Sequence, residues 1–115
     1  MTARDAIRWV DEKKHNVYAT EDKLTWLAQA EEMARQLRQR CGLDSQAQAL
    51  EPETELSVPA PYDQLYLRWL EAQIDYTNQE YLRYNNAMAI FSGLWQEYAN
   101  ALRRSAGSVG RRKFF

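Results

Sequence analysis

A single cysteine, Cys41, excludes an intrachain disulfide framework, and a reducing compartment is the simpler expectation. A single histidine, His15, has no cysteine or second histidine beside it, so no metal-ligand spacing forms. No window approaches the roughly 20 apolar residues of a membrane span. Met1 to Val10 alternates charged with apolar residues and has no hydrophobic core of signal-peptide type, which leads us to expect a soluble chain made in the cytoplasm. The formal net charge is only −1, giving no global preference for nucleic acid, membrane or acidic substrate, so such a partner must be met by a local patch. Glycine-rich phosphate loops and a nucleophile with its base are also missing. The chain is therefore not read as an enzyme: no catalytic, cofactor-binding or metal residues are assigned.

What is present is aromatic: four Trp and seven Tyr among 115 residues. They fill a core or anchor an interface, because both uses exploit large area with a polar handle. Leu67, Leu70, Ile74, Thr77, Tyr81, Tyr84, Met88, Phe91, Trp95, Tyr98 and Leu102 follow at alternating steps of three and four, the spacing that keeps one helix face against a partner. An unbroken helix from Tyr62 to Arg104 would reach on the order of 64 Å, against a radius of gyration of about 13 Å for a compact chain of this size. Either it breaks, at Asn78 or at Asn85-Asn86, or its far half is buried on other subunits. The break is favoured, since asparagine suits caps and turns.

The rest of the chain reads as helices joined by one long link. Thr2 with Asp5 three residues on predicts a capping box, followed by an apolar side of Ala6, Ile7 and Val10 and an end near Lys14-His15-Asn16. Thr20, Glu21 and Asp22 open a second helix with a stripe of Leu24, Leu27, Ala30, Ala34 and Leu37, widened by Trp26 and Met33; Glu31 falls on the polar side. Arg35, Arg38 and Arg40 suit the negative end of that helix, and Gly42 supplies its left-handed stop.

Leu43 to Ala60 is an irregular link with Glu51, Glu53 and Glu55, in which Thr54 to Val58 is expected to pair briefly as an extended segment. Pro59-Ala60-Pro61 predicts extended backbone directly before a third helix, whose apolar residues lie on two faces and place it in the middle of the domain. Glu71 and Asp75 are expected to be solvated on that helix. Gly93 suggests a bend or a close neighbour. From Ser105 to Phe115 the chain is basic, with Arg111, Arg112 and Lys113 before Phe114 and Phe115; this tail is expected to be flexible, either disordered or an arm docked on a neighbour. The fold class is thus all-α: a small bundle of about four helices over residues 1–104, with a long irregular link between the second and third and a flexible basic C-terminal tail.

The motifs Thr2-Ala3-Arg4-Asp5-Ala6-Ile7, Thr20-Glu21-Asp22-Lys23-Leu24, Val58-Pro59-Ala60-Pro61, Ala72-Gln73-Ile74-Asp75-Tyr76 and Tyr84-Asn85-Asn86-Ala87-Met88-Ala89-Ile90-Phe91 occur in an order that resembles the head-tail connectors, or head-completion adaptors, of long-tailed bacteriophages and prophages. The resemblance implies a structural virion protein of the phage neck. It would form a homo-oligomeric ring of about twelve copies under the portal protein, dock a downstream head-completion or tail protein, and pass DNA without reading its sequence. Tyr81, Tyr84, Met88, Phe91, Trp95 and Tyr98, with Arg111, Arg112, Lys113, Phe114 and Phe115, are then the expected subunit or partner contacts. The alternative from the residues themselves is a helical interaction or regulatory module with nucleic-acid contact through the basic tail, separated by salt-sensitive DNA binding.

Overall fold

The computed structural model describes the backbone of residues 1–43 and 46–114 and side chains as far as Ala106. It contains α1 (Ala3–Lys13), α2 (Thr20–Arg40), α3 (Gln64–Thr77) and α4 (Tyr81–Phe114), with the long link between α2 and α3. The expected all-α bundle is found. The radius of gyration, 15.3 Å, exceeds the compact expectation of about 13 Å because α4 outruns its partners.

Each helix end has a local cause. At α1 the capping box forms: the Asp5 N–H donates to Thr2 Oγ1 at 3.1 Å and the Thr2 N–H to Asp5 Oδ2 at 3.1 Å. The remaining free amides of the first turn are met from outside, Ala3 by Thr54 O (3.0 Å) and Arg4 by Pro52 O (2.8 Å), so the link is tied to a helix start that needs acceptors. The expected extended pairing of the link is a single antiparallel bridge between Thr2 and Glu55, and Leu56 and Val58 are buried beside it.

Thr20 is the first residue of α2, but Ala19 holds the cap position without a side-chain bond. The preceding turn is instead held by Asn16, whose amide donates to Lys14 O (2.9 Å) and accepts from the Tyr18 N–H (3.2 Å). At the other end Gly42 takes φ +79, and the Leu43 N–H reaches Arg38 O (2.9 Å) while the Gly42 N–H reaches Gln39 O (3.0 Å), closing the helix as expected. Before α3 the chain turns, contrary to the extended backbone expected: the amides of Tyr62 and Asp63 both bond Pro59 O (2.9 and 3.1 Å), the Ala60–Pro61 peptide is cis, and the helix starts only after Asp63.

α3 is the central element, touching all three other helices, with Leu65, Tyr66, Leu67, Leu70 and Ile74 buried. The break between α3 and α4 falls at Asn78, not at Asn85-Asn86. Gln79 takes φ 61, its N–H bonding Tyr76 O (3.0 Å) and that of Glu80 bonding Asp75 O (2.8 Å), so the chain reverses and α4 returns antiparallel along α3. Asp75 corrects its expectation. It is 1 % exposed and pairs with Lys14 Nζ at 2.6 Å, while Glu71 pairs with Arg68. Gly93 is exposed and an added Cβ would meet nothing within 4 Å, so the close neighbour expected there is not supplied by this chain.

Candidate interaction surface

α4 lays its aromatic stripe on α3. Ring pairs mark the contact along its length: Tyr76 with Tyr81 (5.8 Å) and Tyr84 (5.2 Å) at the turn, Trp69 with Phe91 (5.2 Å) midway, and Tyr62 with Tyr98 (5.9 Å) at the far end. Phe91, Trp95 and Tyr98 also touch one another along α4. Of the expected contact residues, Phe91 and Tyr98 are therefore enclosed in this chain's own core; Tyr84, Met88 and Trp95 are half-buried; Tyr81 is exposed. The stripe is largely hidden within one copy, which removes its centre from any surface. The side chains of Arg111, Arg112, Lys113 and Phe114, and all of Phe115, lie outside the described residues, although α4 itself runs through Phe114.

The surface that remains is the other side of α4. Leu82 and Ile90 are exposed, at 76 % and 47 %. By helical geometry they share a face with Asn86, Ala89, Gly93 and Asn100. From Tyr84 to Leu102 the only charged residue is Glu97, so this outward face carries almost no charge. Solvated helix faces usually carry charge, whereas interface centres are depleted of it. Sequence reasoning followed the stripe and passed over Leu82 and Ile90. Two large aliphatics on the side that the three-four period leaves to solvent were the signal.

Polar groups inside the bundle are paired and serve to hold elements together. Glu31, assigned to the polar side of α2, is half-buried: it accepts from the Ser57 N–H and Oγ (both 3.0 Å) and from the Tyr66 hydroxyl, which in turn accepts from the Val58 N–H at 2.9 Å. Burial and the neighbouring Glu31 charge push the Tyr66 phenol far above its ordinary value. Lys23 is buried and pairs with Asp11 at 2.6 Å. Trp69 Nε1 donates to Trp26 O at 2.7 Å.

Two open clefts stand out. One, of about 430 Å³, lies beside α1 and includes Arg4, Asp11 and Pro52; Arg4 pairs with Glu53 and Asp11 with Lys23, leaving these charges balanced. The other, of about 410 Å³, lies where the end of α2 meets α4 and is lined by Leu37, Arg40, Cys41, Trp95, Arg103 and Ala106. Among the described residues no group of three or more His, Cys, Asp or Glu is placed to hold a metal ion, and no helix is long and apolar enough to cross a membrane. No protein-family model matches this chain, and comparison with curated proteins and with solved structures gives no match either.

Proposed function

We propose that this protein is a structural assembly module, a head-tail connector that joins a ring under a portal protein and offers a docking surface to the next head-completion or tail component. The observation that carries this reading is the nearly uncharged outer face of α4 around Leu82 and Ile90, which one copy leaves to water. Such a face is stabilised when a neighbouring surface covers it. The paired interior supports a scaffold role, because the polar side chains described above fasten the link and the helices to one another. DNA passing through the ring would meet dispersed charge and no base-reading element.

The test is the native mass of the protein mixed with a portal protein of a long-tailed phage. The wild type is expected to enter a ring of about a dozen copies, and the L82E/I90E variant to stay out of it while keeping its helical circular dichroism. A wild-type chain that stays monomeric with that portal overturns the proposal.

A further inference from the structure

Resting on the assembly reading, we infer that copies of this chain bind one another end to end, the Val17 corner of one seating in the Trp95 notch of the next. The notch is the cleft between the last turn of α2 and α4. Leu37, Cys41, Trp95 and Ala106 give it an apolar lining, and Arg40 and Arg103 add two cations from different helices. Arg104 follows on α4. Among the described residues no carboxylate pairs with Arg40, Arg103 or Arg104. The notch thus calls for an apolar knob accompanied by negative charge.

This chain carries such a knob at its other end. Val17, in the turn between α1 and α2, is 89 % exposed, the most exposed of the large hydrophobic residues among those described. Glu21 and Asp22 follow it on the first turn of α2, exposed and paired with no cation among the described residues, and Glu12 is exposed nearby on α1; Lys13 is the counter-charge there.

The two features cannot meet within one molecule. The Val17 turn is pinned to the end of α3 by Lys14 on Asp75 and the Tyr18 hydroxyl on Asn78. The notch lies at the start of α3, where Tyr62 packs on Tyr98 and Arg38 donates to the Tyr98 hydroxyl at 3.1 Å. The two features lie at opposite ends of α2 and are complementary in charge, so the contact is between copies and uses a different patch on each. A contact of this type closes into a ring when the rotation per copy closes, and otherwise propagates as a filament.

Sedimentation velocity of the intact protein across a concentration series, at low salt and at high salt, tests this. The wild type is expected to self-associate, more weakly as salt screens the pairs. Reversal at either end, R40E/R103E or E21R/D22R, is expected to weaken association at least about tenfold, and mixing the two variants to restore it, since each then supplies the end the other lacks. All four positions are exposed or line the open cleft, and unchanged melting temperatures confirm that folding is intact. A wild type that is monomeric throughout, or association indifferent to both reversals, overturns the inference. So does a monomer that binds duplex DNA through Arg40 and Arg103, which would make the notch a nucleic-acid contact. The portal mixture separates the two proposals: rings that form with the R40E/R103E protein sink the end-to-end contact and leave the connector role standing.

Discussion

At the residue scale the side chains that matter most to stability are polar ones in apolar surroundings. Tyr66 joins three segments: its ring is buried in α3, its hydroxyl donates to Glu31 on α2, and it accepts from Val58 in the link. Removing the hydroxyl leaves the buried Val58 N–H without an acceptor, so Tyr66→Phe is expected to cost about 1–3 kcal/mol at neutral pH, read as a lower denaturant midpoint. The phenol's value is raised on folding, so its contribution is fully present below the unfolded value near 10 and is lost as pH rises beyond it. The stability gap between wild type and Tyr66→Phe should therefore shrink between about pH 10 and 12; a gap constant over that range would contradict the geometry. Asp75 is a second buried polar group held by a partner on another helix end. Replacing it with alanine leaves the Lys14 ammonium, half-buried, without its partner, and a loss of about 3 kcal/mol in chemical unfolding is expected.

At the scale of elements, helix ends and helix faces obey separate rules. Gly42 ends α2 in the left-handed region at no steric cost, whereas α3 ends the same way on Gln79, which pays for its Cβ. Gln79→Gly is expected to raise stability by roughly 1 kcal/mol, seen as a higher melting temperature. Within α4 the exposed Gly93 has open space where a Cβ would go. Gly93→Ala should stabilise the isolated protein by up to about 1 kcal/mol through helix propensity alone. Because Gly93 lies on the uncharged outer face, the same substitution tests whether a neighbour comes close there: a more stable monomer that enters the portal ring less readily is the expected pair of results.

At the scale of the whole molecule, the bundle is finished before α4 is. The buried core among the described residues has its last member at Ala99, with Leu102 packed against it from α4. Deleting 107–115 is accordingly expected to leave the melting temperature within about 2 °C of wild type, while any contact made by the basic segment is lost; a larger fall would show that the segment completes the fold. Much of this architecture was legible in advance. The capping box of Thr2 and Asp5, the stop at Gly42, the stripes of α2 and α4 and the central place of α3 all follow from spacing and local chemistry, and excess length with the asparagines favoured a break in the long aromatic stretch over burial of its far half on other subunits. The break could not be placed between Asn78 and Asn85-Asn86, because the residue that takes the left-handed turn is Gln79, which carries no such signature.

Local periodicity states which residues of a helix belong together on one face, and by itself the sequence determined that much: an all-helical chain with a stripe too long for one straight element. Whether that stripe looks inward was a tertiary decision. Once the chain reverses at Gln79, α3 lies against the rings from Tyr81 to Tyr98, and the face turned to water is the one around Leu82 and Ile90. The same holds for Asp75, Lys23 and Glu31, whose burial depends on partners 61, 12 and 26 residues away in the chain. Contacts over such separations are set by how helices pack in space, which no local spacing of residues records.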